Sequence, residues 1–151
     1  MKAFIFSILA FLMVFTNCKS QQMKVMTYNL RLDIASDGEN AWEYRKEFLG
    51  SQVLFLAPDI MGVQEARPNQ VADLKNTLPD YKFIGKGRDG GQEGEHAGIF
   101  YNSKKLEVTE VNTFWLSETP ETVSKGWDAA YPRVCTYGLF TLKESKQKIW
   151  V

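Results

Sequence analysis

The chain has 151 residues, 44% hydrophobic and 24% charged, an ordinary composition for one soluble globular domain. Lys and Arg (18) balance Asp and Glu (18) for a formal net charge of +0, which argues against a strongly basic, sequence-blind duplex binder. With only two cysteines, Cys18 and Cys135, a disulfide framework is excluded.

Met1 and Lys2 give a positive start, and residues 3–16 are almost wholly apolar. That run is shorter than the ~20 residues of a spanning helix and matches the apolar region of an export signal, predicted over residues 1–20. Two cleavage readings compete. Phe15-Thr16-Asn17-Cys18 is a loose version of the bacterial lipoprotein box, with Cys18 lipidated and Asn17 in place of the usual small residue. Alternatively, Cys18-Lys19-Ser20 is a small-x-small site for ordinary secretion. The first reading gives an outer-membrane or periplasmic lipoprotein, the second a secreted protein; retention of the apolar run as an anchor is a third.

Residues 23–30 are rich in β-formers and end close to Asn29. Residues 33–40, with Asp37-Gly38, read as a polar loop. Asn40 is placed to cap a helix, with Glu43 three positions on as in a capping box. The helix carries Tyr44, Phe48, Val53 and Leu56 on an apolar face, and Ala57-Pro58-Asp59 stops it. Residues 59–65 form the next strand, so a right-handed crossover makes the two strands parallel. Asn29 and Glu65 then share one carboxyl edge, where sites of open α/β sheets form.

Pro68 suits the first position of a second helix with Val71, Leu74 and Leu78 at helical spacing. Strands are predicted over 81–85 and 96–101, separated by a glycine-rich surface loop over 86–95. Residues 106–115 read as the hairpin partner of the second of these. A long loop follows over 117–132, and such loops are usually functional or disordered. A final hairpin joins 134–142 to 147–151. Cys135 alternates with apolar neighbours there and reads as a buried structural thiol. A nucleophilic role would need a base, and the chain holds one histidine, His96.

Asn29 and Glu65 are the first candidates for chemistry. A carboxylate and a carboxamide oxygen at adjacent strand ends suit Mg²⁺, a hard cation that takes oxygen ligands; the plainer alternative is a strand end and a turn cap. His96 opens a strand and faces either substrate or the core. Arg88, in the glycine-rich loop, is a candidate substrate contact of the same kind. Trp115 and Trp127 either stack on a base or pack the long loop down.

Thr27-Tyr28-Asn29-Leu30-Arg31 and Asp59-Ile60-Met61-Gly62-Val63-Gln64-Glu65 resemble the first two signatures of the endonuclease/exonuclease/phosphatase superfamily. The helix between them, bearing Trp42 and Arg45, fits the spacing. Gly94-Glu95-His96-Ala97-Gly98-Ile99-Phe100-Tyr101 is similar to the strand before that family's substrate loop. Phe114-Trp115-Leu116-Ser117-Glu118-Thr119-Pro120 and Ser124-Lys125-Gly126-Trp127-Asp128-Ala129-Ala130-Tyr131-Pro132-Arg133 resemble a bacterial branch related to the carbon-catabolite-repressor and nocturnin type.

The resemblance implies an α/β fold, about half of a four-layer DNase I-like sandwich, with a mixed sheet flanked by helices. It makes Glu65 the metal-binding glutamate and Asn29 its neighbour, both catalytic, with Mg²⁺ or Mn²⁺ as the ion. Arg133 falls where the family tends to place a phosphate-binding arginine, a bidentate fork for phosphate oxygens; a salt bridge to Asp128 is the alternative. The implied activity is metal-dependent phosphoester hydrolysis, either 3′–5′ exoribonuclease-like or directed at phosphosugars or phospholipid head groups. A lipid-anchored binding module without catalysis is the alternative of another class. No protein partner is inferred.

The family's His-x-Asp or His-x-Asn, Gly-Asp-x-Asn and Ser-Asp-His segments do not occur, and Lys148-Ile149-Trp150-Val151 reads as mid-strand. The expectation is therefore that residues 23–151 are the N-terminal part of such a domain, inactive alone, with one sheet face left apolar and exposed.

Overall fold

The computed structural model describes residues 22–151. The predicted signal over 1–20, and with it Cys18, lies outside the described residues. Four strands form a first sheet in the order β1-β2-β4-β3: β1 is Val25–Asn29, β2 Ile60–Ala66, β3 Tyr81–Ile84 and β4 His96–Asn102. β1 and β2 are parallel, with Val25 opposite Ile60 and Asn29 opposite Gln64, as the crossover requires. β4 runs antiparallel to both β2 and β3.

The crossover helix α1 (Trp42–Leu56) and the helix α2 (Pro68–Thr77) pack on one face of this sheet. Leu30, Trp42, Leu49, Val53, Met61, Val71, Leu74 and Phe100 close that core. Two expectations fail along α1. Its cap is Ala41 rather than Asn40, and makes no side-chain cap bond. Residues Ala35–Asn40, expected as a loop, wind into a 3-10 turn kinked at Gly38 (φ 54), and its closing bond, Ala41 N–H to Gly38 carbonyl, takes the chain past Asn40 before the helix begins. Tyr44, Phe48 and Leu56 are exposed, whereas Trp42, Leu49, Gly50 and Val53 face inward. The indole of Trp42 donates to Asp73 of α2 at 2.7 Å, which rotates the helix away from the expected face.

The second sheet holds β5 (Leu106–Trp115), β6 (Val134–Leu142) and β7 (Lys148–Trp150), all antiparallel. β5 thus pairs with β6 and not with β4: after the turn at Asn102 the chain leaves the first sheet. Both edges of β4 are already taken by β2 and β3, so no ladder remains for β5. The sheets pack face to face through Ile60, Ile99, Tyr101, Leu106 and Phe140. On the outer face of the second sheet Phe114, Tyr137 and Trp150 form an aromatic ladder, with centroid separations of 6.1 and 5.7 Å. Trp150 stays 55% exposed there, so among the described residues this apolar face is not fully covered. Cys135 on β6 is a free thiol, half-buried rather than buried, because it lies opposite Phe114 in the same ladder.

Candidate active site at the carboxyl edge of the first sheet

A bulge in β2 aims Glu65. Val63 lies opposite Gly98 and Ala66 opposite His96, so Gln64 and Glu65 together span the place of one residue on β4. Strict alternation from Met61 and Val63 would send Glu65 into the helix-side core. Instead its backbone turns left-handed (φ 58), and the carboxylate meets Asn29 and Leu32. Asn29 Nδ2 donates to Oε1 at 2.8 Å and the Leu32 N–H to Oε2 at 3.0 Å. Such a conformation costs a non-glycine residue about 1–3 kcal/mol. Two hydrogen bonds to a charged group, roughly 1.5–3 kcal/mol each, offset it. The Asn29 bond first, then the Leu32 N–H, hold the Glu65 carboxyl below its ordinary range, against a smaller opposing effect of burial.

The loop supplying the Leu32 N–H is fixed by both helices. Arg45 of α1 donates to the Leu30 and Arg31 carbonyls at 2.8 and 3.1 Å, and Gln70 of α2 donates to the Arg31 carbonyl at 2.9 Å. Asn29 Oδ1 accepts the Arg31 N–H at 2.8 Å, closing an Asx turn at the strand end. Gln70, fully buried, escapes sequence reasoning; its signal is a polar residue on the same helix face as Val71 and Leu74.

Arg88 joins Glu65 from the glycine-rich loop. Its guanidinium pairs with Glu95 at 2.8 Å and lies 4.8 Å over the Tyr131 ring, while its buried Nε has no hydrogen-bond partner. Trp115 secures this loop by donating its indole N–H to the Arg88 carbonyl at 2.7 Å, and is itself buried, so of the two readings of Trp115 the packing one holds. Trp127 is 80% exposed. Arg133 stands at the end of the long loop, and no ion pair to Asp128 forms among the described residues. Arg67, two residues past Glu65 at the same edge, was missed in the sequence; its proximity to Glu65 along the chain is the signal.

A cavity of about 350 Å³ gathers Asn29, Glu65, Arg88, Glu95 and Arg133. Beside it a recess of about 440 Å³ is lined by Leu32, Glu65, Arg67, Arg88, Glu95, Tyr131 and Arg133. Both lie where the carboxyl ends of β1 and β2 meet the start of β6. His96 belongs to the first cavity's wall but is 1% exposed. Its Nδ1 meets the Ala66 carbonyl at 3.1 Å and its ring packs edge-on to Phe83, which places it behind the bulge. Burial above all lowers its pKa, so the imidazole is neutral at neutral pH.

Glu65 makes no ion pair among the described residues, and each of its oxygens keeps a lone pair beyond its single hydrogen bond. That suits a hard cation that retains several waters. Among the described residues no group of three or more His, Cys, Asp or Glu side chains gathers to hold a metal ion.

Two packed sheets, helices on the outer face of the first, and an oriented glutamate among arginines at its carboxyl edge place the chain with the endonuclease/exonuclease/phosphatase proteins, in the N-terminal portion of their DNase I-like fold. It is 41% identical to a mannosyl-6-phosphatase of Bacteroides thetaiotaomicron, over 85% of this chain and 49% of that one, with a TM-score of 0.83. An endonuclease/exonuclease/phosphatase protein of Bacteroides vulgatus is 39% identical over 87% of this chain and 51% of its own, with a TM-score of 0.85. The human nocturnin catalytic domain, 18% identical over 85% of this chain and 47% of its own (TM-score 0.65), shares the fold alone. The chain thus spans about half the length of the solved structures it matches. No protein-family model matches it.

Proposed function

We propose that this chain supplies the metal-side half of a Mg²⁺-dependent phosphoester hydrolase, with Mn²⁺ as the alternative ion. The observation that carries this is Glu65, held in a left-handed bulge by Asn29 and Leu32 and facing a cavity it shares with Arg88 and Arg133. Glu65 would hold the ion, which when bound stabilises negative charge developing on the phosphate. Asn29 orients that carboxylate. Arg133, without an ion pair among the described residues, offers its fork to phosphate oxygens.

A phosphosugar monoester is the preferred substrate class, ahead of a 3′–5′ exoribonuclease substrate or a phospholipid head group. The 41% identity to a mannosyl-6-phosphatase supports that order. Export, with lipidation at Cys18, is part of the same reading. β1 begins at the pole where Lys24 donates to the Leu56 carbonyl and ends at Asn29, so an N-terminal anchor would hold the site away from the membrane. No helix among the described residues is long and apolar enough to cross one.

The test is hydrolysis by the full-length protein of a hexose 6-phosphate, an RNA oligonucleotide and a glycerophospholipid with Mg²⁺. The phosphosugar is expected to turn over fastest, with Glu65→Gln losing at least about a hundredfold, the scale of a lost electrostatic stabiliser. Full activity of Glu65→Gln on every substrate sinks the reading of Glu65; no turnover of any substrate by the wild type leaves the binding module.

A further inference from the structure

The recess next to the Glu65 cavity carries more positive charge than one phosphate and its metal account for. Three arginines (Arg67, Arg88, Arg133) and two glutamates (Glu65, Glu95) line it. Glu95 is matched to Arg88 at 2.8 Å, and Glu65 is held by neutral donors, free for a cation. Arg67 and Arg133 remain without carboxylate partners among the described residues. The two are not equivalent. Arg133 borders both cavities, whereas Arg67 borders only the recess on the side away from Asn29.

One further feature points to an anion at Arg67. It is the residue before Pro68, at the N-terminus of the ten-residue helix α2, where the helix dipole favours negative charge. Tyr131 closes the far side with its ring over Arg88.

We propose that the recess formed by Arg67, Arg88 and Tyr131 is a second anion subsite, and that the substrate is a phosphoester carrying a further anionic group. This rests on the reading of Glu65 and Arg133 as the place of the reacting phosphate. Arg67 is a specificity residue, not a catalytic one: it sorts substrates by their second charge.

The experiment is calorimetric titration of the full chain with two probes, inorganic phosphate and methylenediphosphonate, each in the presence of Mg²⁺. The diphosphonate is expected to bind at least about tenfold more tightly than phosphate, and Arg67→Gln to remove that advantage while leaving phosphate binding unchanged, as the loss of one charge-assisted pair implies. Arg67→Lys, which keeps the charge and loses the fork, is expected to fall between. Arg67 is exposed and holds α2 through its backbone N–H to Gln70 at 2.9 Å, so these variants keep the fold; unchanged thermal midpoints confirm it. Equal losses for both probes, or no loss for either, on Arg67→Gln overturns the subsite. Arg133→Gln separates the two readings: it weakens both probes if the reacting phosphate sits at Arg133, whatever Arg67→Gln does.

Discussion

At the bulge in β2 the carbonyl of Ala66 faces His96, and one residue earlier Glu65 takes up its left-handed turn. The imidazole therefore supports the backbone that aims the carboxylate. Because burial depresses its pKa, His96 stays neutral in the native state while the unfolded chain takes up a proton below about pH 6.5. The stability this contributes is intact above the unfolded pKa and is lost as pH falls towards the lower folded value. His96 is the only histidine, so replacing it isolates its share of the loss between neutral and mildly acid pH. Urea midpoints at pH 7.5 and 5.5 are expected to fall for the wild type and to change much less in His96→Gln. An equal fall in both proteins would show that the imidazole is not held neutral.

At the scale of elements, the contact between α1 and α2 is set by a glycine. A Cβ at Gly50 would lie 2.6 Å from Thr77 Cγ2, closer than real carbon contacts allow. In an open helix Gly→Ala gains about 0.8–1.0 kcal/mol, but overpacking costs about 1–3 kcal/mol. Gly50→Ala is accordingly expected to lower the denaturation midpoint, with a net loss of about 1 kcal/mol. Thr77→Ser removes the offending methyl, so the double variant should recover and exceed Gly50→Ala. A Gly50→Ala more stable than wild type would mean that the helices separate freely. The same packing exposes Tyr44, Phe48 and Phe55 along the opposite side of α1.

Across the whole molecule, the two sheets are joined by a small apolar core. Phe140, fully buried, meets Tyr101 of the first sheet edge-on at 5.2 Å. Phe140→Ala is expected to cost about 3–5 kcal/mol by chemical denaturation, as for other buried aromatics. The Trp115 indole ties the second sheet to the loop carrying Arg88. Trp115→Phe keeps an aromatic ring and removes the donor, at about 1 kcal/mol for the lost bond. It is expected to leave the fold intact and to speed proteolytic cleavage within residues 86–95. A cleavage rate equal to wild type would show that the loop is fixed by its own turns.

How far the sequence reaches can be judged from particular residues. Alternation and helical spacing located seven strands and two helices, and the parallel β1–β2 pair follows from a crossover that has one favoured hand. That pair alone brings Asn29 and Glu65 to one edge, and the motifs around them named the family. Three things were decided by tertiary contact. The buried face of α1 depends on the Trp42–Asp73 bond to a helix distant in sequence, so the apolar residues Tyr44 and Phe48 read as core and are not. The partner of β5 depends on which strand edges are already filled, which no local pattern records. The aim of Glu65 depends on one unpaired residue in β2, and only with that bulge does the carboxylate turn from the core to Asn29 and the arginines. Local chemistry chose the elements and their edge residues; packing and register, which sum over distant parts of the chain, chose the direction in which those residues point.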